Sequence, residues 1–159
     1  MKNFPALLLL SLIFPLLYGC GKKAGGSKVP QIDLVGISVD SIQSGNPGQS
    51  IVIQFYLRDS DGDLGVDPDK STNYDIYIKD ARIDTFVGYY FPTIGDEVKD
   101  SDKGVEGSAY FDIRGDFIFV RDDSFHMAVG DTTQMELYIR DVAGNESNHI
   151  TTPNLYIRP

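Results

Sequence analysis

From Gln31 onward the apolar residues fall into short runs with a period of two. Ile51, Ile53, Phe55 and Leu57 share one side of an extended segment, with Val52, Gln54, Tyr56 and Arg58 on the other. Met135, Leu137 and Ile139 alternate with Glu136, Tyr138 and Arg140, and Ile76 and Ile78 flank Tyr77. Successive side chains on a strand point to opposite faces, so this period predicts half-buried antiparallel strands. Segments 32–39, 86–91, 108–113, 117–120 and 154–157 read the same way. Between them lie turn-forming stretches at 44–48, 59–69, 114–116 and 143–145, rich in Gly, Asn, Asp and Pro. No segment carries enough helical periodicity to predict a helix, and no internal repeat is visible. Seven to eight short strands separated by turns predict one all-β sandwich domain.

Composition sharpens this. Beyond residue 19 there are 25 Val and Ile, but only 5 Leu and 5 Ala. β-branched side chains fit a pleated sheet, whereas Leu and Ala fill helices. The acids are lopsided, with 19 Asp and 4 Glu. Asp belongs in turns and in oxygen-rich metal loops. A formal net charge of −9 without a basic cluster excludes a nucleic-acid partner, which needs Lys and Arg to displace counterions. The lone cysteine, Cys20, excludes an internal disulfide framework and a multi-cysteine metal site.

Residues 1–19 read as an address. Met1-Lys2-Asn3 is followed by an apolar run from Phe4 to Leu17. That run is shorter than the roughly 20 residues of a membrane-spanning helix and fits the apolar region of a signal peptide. It ends in Leu17-Tyr18-Gly19-Cys20, which resembles the bacterial lipoprotein signal, although Tyr18 stands where a small residue is usual. The resemblance implies a signal peptide over 1–19 and lipidation of Cys20 as the first mature residue. A Gly/Lys-rich tether over 20–30 and a folded domain over 31–159 follow it. Acyl chains on Cys20 would anchor the protein without spanning the bilayer. The expected location is the bacterial cell envelope, at the outer membrane, on either face.

The densest local signal is Asp59-Ser60-Asp61-Gly62-Asp63-Leu64-Gly65-Val66-Asp67-Pro68-Asp69, directly after a strand. Alternating Asp59, Asp61 and Asp63 on a tight loop can direct several carboxylates inward, as a hard cation such as Ca²⁺ requires. Asp67 and Asp69 are secondary candidates. The loop is not an EF-hand, because Leu64 and Lys70 stand where that loop has Gly and Glu. The plain alternative is a solvated acidic turn whose Asp side chains cap backbone N–H groups. A second motif, Asp141-Val142-Ala143-Gly144-Asn145-Glu146-Ser147, reads as a hairpin turn. This Asp-x-x-Gly-Asn-x-Ser turn resembles bacterial immunoglobulin-like modules. Paired with the Asp-x-Asp-Gly-Asp-Leu-Gly strand end behind a lipoprotein signal, it is similar to small lipoproteins of the Bacteroidetes type. The resemblance implies an immunoglobulin-like or fibronectin III-like antiparallel sandwich. With 51–58 as strand B and 134–141 as strand F, the B–C and F–G loops share one pole. Asp59, Asp61 and Asp63 would then share one Ca²⁺ with Asp141 and Asn145.

Catalysis finds little support. His126 and His149 lie in unrelated contexts, with no nucleophile elbow, zinc-protease helix or phosphate loop. Arg114-Gly115-Asp116 spells an adhesion tripeptide, but between two strand candidates it reads as a tight turn. Tyr89 and Tyr90 alternate across a strand, so one of them can be exposed as a sugar-binding ring, though a chain without Trp lacks the broadest such platform. The expected role is therefore a non-catalytic interaction or structural module, with protein or glycan as partner. Surface glycan binding through Tyr89 and Tyr90 is the alternative.

Overall fold

A computed structural model describes residues 26–65, 69, 73–91, 94 and 104–159. Its strands are β1 (Gln31–Ile37), β2 (Ser41–Gln43), β3 (Ser50–Asp59), β4 (Ile76–Asp80) and β5 (Val87–Tyr89). They continue with β6 (Val105–Arg114), β7 (Asp131–Thr133), β8 (Met135–Ile139), β9 (Ile150–Thr151) and β10 (Leu155–Arg158). Three sheets form, in the orders β1-β3-β6, β5-β4-β8-β9 and β2-β10-β7. The first two face each other as an all-β, immunoglobulin-like sandwich, with β3 central in one and β4 and β8 central in the other. The alternation predicted over 51–58 is realised in β3: Ile51, Ile53, Phe55 and Leu57 are all buried, whereas Val52, Gln54 and Tyr56 are half-buried on the outer face. Across the layer they meet Ile76, Ile78, Leu137 and Ile139 in one core.

Two expectations about the sheet are corrected. Pairing is not wholly antiparallel, because β2 runs parallel to β10. The first strand shifts register between Leu34 and Gly36 and ends at Ile37. Its continuation then crosses to the last strand, a corner made by a strand that switches sheets. Segment 117–120 is not a strand. Gly115–Phe117 forms a 3₁₀ turn, pinned by the Gly115 N–H donating to the Gln49 carbonyl at 2.8 Å. A Cβ on Gly115 would lie 2.4 Å from the Asn46 carbonyl oxygen, so only glycine fits there. Ile118 still enters the core between exposed Phe117 and Phe119, so the alternation is real, yet no strand among the described residues offers it a ladder.

The sequence also predicts no helix, but α1 (Ser124–Val129) is present. It forms through its caps: the Asp123 side chain accepts the His126 N–H, and Gly130 closes the other end at φ 89°. Its apolar side chains, Phe125, Met127 and Val129, are exposed, which is why no buried stripe announces it. No helix among the described residues is long and apolar enough to cross a membrane. Cys20 and the leader lie outside the described residues.

Candidate metal centre

Strand β3 carries Asp59 at its end with an inward-facing parity, so its carboxylate follows Phe55 and Leu57 into the protein and is only 1% exposed. The chain must then turn sharply. Gly62 (φ 66°) and Gly65 (φ 85°) adopt left-handed backbone, and Leu64 between them is buried in the core. Gly104, at the approach to β6, lies so close that a Cβ would be 2.1 Å from the Asp59 carbonyl oxygen.

Asp59, Asp61 and Asp63 each present a carboxylate oxygen, all within 4.8 Å of one another. Among the described residues, neither oxygen of Asp59 has a hydrogen-bond donor, and nor does Asp63 Oδ1. Buried carboxylates are almost always hydrogen-bonded or paired, because the charged form loses its hydration. Asp63 Oδ2 accepts the Ala143 N–H at 3.1 Å, and the Asp63 carbonyl accepts the Val142 N–H at 3.0 Å. The loop after β3 thus meets the loop after β8, and the contact joins the two facing sheets. Asp141, 4% exposed, stands in this second loop. Its Oδ1 accepts the Asn145 backbone N–H and its Oδ2 accepts Asn145 Nδ2, both at 2.7 Å. Asn145 therefore orients Asp141 through its amide donors.

The electrostatics follow from this crowding. Burial first, then a proton shared with the Asp61 carboxylate and the charges of Asp61, Asp63 and Asp141, push the Asp59 carboxyl up to about 7; ionised, Asp59 has no donor among the described residues. Burial and the charges of Asp141 and Asp61 raise Asp63 as well, and the Ala143 N–H offsets part of that. Among the described residues the ion pair to this cluster comes from Lys28, its Nζ 3.5 Å from Asp61 Oδ2, and that side chain is 80% exposed. Three hard oxygen donors with a fourth carboxylate beside them make a set that suits Ca²⁺ better than Mg²⁺, which seldom uses an all-protein cage.

The remaining candidates are dispersed. Asp69 is exposed and outside the cluster, and Asp67 lies outside the described residues. Tyr89 and Tyr90 are each 37% exposed. Tyr89 packs edge-on to Phe111 at 5.0 Å, and Tyr90 tilts by 49° against Tyr74. His126 sits in the first turn of α1, its Nδ1 2.6 Å from the capping Asp123 carboxylate, and His149 stacks on Tyr138 while its Nδ1 meets Glu136 Oε1 at 2.6 Å. Arg114 and Asp116 pair with each other across the 3₁₀ turn.

One cluster escapes the sequence pattern. Asp131, on β7, is buried and holds Arg121 (2.9 Å) and Arg82 (2.5 Å), while Arg82 also grips Asp80. Arg121 first, then Arg82 and two backbone N–H groups, hold the Asp131 carboxyl far below the usual range despite burial. These residues are 49 and 10 positions from Asp131, and no local spacing signals such a meeting.

No family model matches the chain, and no curated protein matches it. Among solved structures it is similar to the PKD domain of an M14-like peptidase from a Thermoplasmatales archaeon. The two share 14% identity over 82% of this chain and 94% of that one, with a TM-score of 0.39.

Proposed function

We propose that this chain is a non-catalytic immunoglobulin-like interaction module of the bacterial cell envelope. Acyl chains on Cys20 tether it to the outer membrane, and one Ca²⁺ binds where the loops after β3 and β8 meet. Asp59, Asp61 and Asp63 supply carboxylate oxygens, and Asp141, oriented by Asn145, completes the acidic wall. The observation that carries the calcium reading is Asp59: a carboxylate 1% exposed, with no donor on either oxygen among the described residues, and with the charges of three other carboxylates acting on it. A divalent cation would neutralise that wall and fasten one sheet to the other. The role is structural, holding a loop pole in one shape for a partner.

Titration calorimetry of the full chain with Ca²⁺ tests this. The expected result is one Ca²⁺ per chain, with binding lost in Asp59→Asn and weakened in Asp63→Asn. Absence of heat and of competition with a fluorescent Ca²⁺ indicator would refute the site.

A further inference from the structure

Strand β6 is ten residues long and pairs on one side only, with β3; among the described residues its other edge meets no strand. A long open edge offers a row of backbone donors and acceptors to another strand, and proteins usually blunt such edges. Here the edge carries a self-complementary pattern. Glu106, Ser108, Tyr110 and Asp112 face outward, and Gly107, Ala109, Phe111 and Ile113 face the core side. Place two copies of β6 antiparallel about a two-fold axis at Tyr110. Glu106 then stands opposite Arg114 twice, and Ser108 opposite Asp112. Small inner residues stand opposite large ones, with Gly107 facing Ile113 and Ala109 facing Phe111. At Gly107 a Cβ would meet nothing within 4 Å, so there is room for the incoming side chain. Tyr110, 66% exposed, would stack with its own copy at the axis.

Neighbouring registers lack this match. A slip of one residue puts outward faces against inward ones. A slip of two sets Glu106 against Asp112, or Ser108 against Arg114 and Tyr110 against Asp112. The charged ends are available: the Arg114 side chain is 63% exposed, pairing with Asp116, and among the described residues Glu106 accepts the Tyr56 hydroxyl at 3.0 Å.

From this we propose that the protein forms a two-fold dimer with a second copy of itself through antiparallel β6–β6 pairing centred on Tyr110. The pairing joins two three-stranded sheets into one of six strands, an isologous contact closed by its own symmetry. It does not depend on calcium.

The test uses the full chain in detergent, followed by sedimentation and by cysteine cross-linking. Directly opposite strand residues lie about 4.5–5.5 Å apart at Cα, within disulfide reach. Tyr110→Cys should therefore give a disulfide-linked dimer under mild oxidation. Ser108→Cys, whose copy would be about 14 Å away, should cross-link no more than the parent chain with its native Cys20. Glu106→Arg and Arg114→Glu should each raise the dimer dissociation constant about tenfold, and the double exchange should restore it. A wild-type chain that sediments as a monomer throughout, with Tyr110→Cys unlinked, overturns the proposal. Equal cross-linking of Ser108→Cys, or no restoration by the double exchange, overturns its register.

Discussion

Asp59 stands where a strand leaves its sheet with one more inward-facing position than the core needs. An apolar residue there would simply extend the core, whereas a carboxylate 1% exposed with no donor among the described residues costs stability unless it is neutralised. That cost has a sign in pH. With Asp59 raised from 3.8 to about 7, the folded chain between those values holds a proton that the unfolded chain has released. Metal-free stability should therefore fall as pH rises through that window, by on the order of a few kcal/mol. Ca²⁺, which takes the ionised carboxylate, should remove the fall. Denaturant melts at pH 5 and pH 8, in chelator and in Ca²⁺, check both halves. Asp59→Asn should be more stable than the parent at pH 8 in chelator, because it removes a buried charge and keeps the shape. A variant less stable than the parent there would show that the carboxylate is already satisfied.

At the scale of elements, the long strands were legible because burial on one face writes itself as alternation, as in Ile51 to Leu57. The pole was legible too, since each loop carries its own turn chemistry and the fold sets both at one end. What escaped either depends on partners distant in sequence or, as in α1, buries no apolar face. β7 is polar, and its place is fixed by Asp131 gripping Arg82 and Arg121. α1 is a single capped turn and a half with no buried stripe, and β2 is three residues held by the chain's last strand. The Asp131 cluster allows a test. The Arg82 side chain is 15% exposed and bridges Asp80 and Asp131. Arg82→Met should cost about 3 kcal/mol at neutral pH, since it leaves two carboxylates short of their cation. Asp131 is held low, so its contribution is present above the ordinary carboxylate range and is lost as pH falls toward its folded value. Urea melts of Arg82→Met against the parent measure the loss, and a difference under about 1 kcal/mol would mean that Arg121 alone satisfies Asp131.

For the whole molecule, charge and anchoring separate by position. The acidic excess is concentrated in one stretch of sequence, where five of the 19 aspartates fall between residues 59 and 69, and of these Asp59, Asp61 and Asp63 gather at one loop pole. Residues 26–29, on the approach from the tether, lie against that loop: the Ser27 carbonyl accepts both the Ser60 N–H and its hydroxyl. The described start of the domain and the proposed cation site are thus neighbours, so calcium would also order that start. Cys20→Ala should shift the protein from the membrane fraction to the soluble one in cells, and unchanged fractionation would remove the lipid tether from the account. The most direct test of the central claim is the thermal melt of the full chain at pH 7.5 in excess chelator and in Ca²⁺ at 100 times its Kd. Binding to the folded state alone at that level contributes about 2.7 kcal/mol, a rise in Tm on the order of 10 °C, absent in Asp59→Asn. An identical Tm for the wild-type chain in chelator and in Ca²⁺ would contradict it.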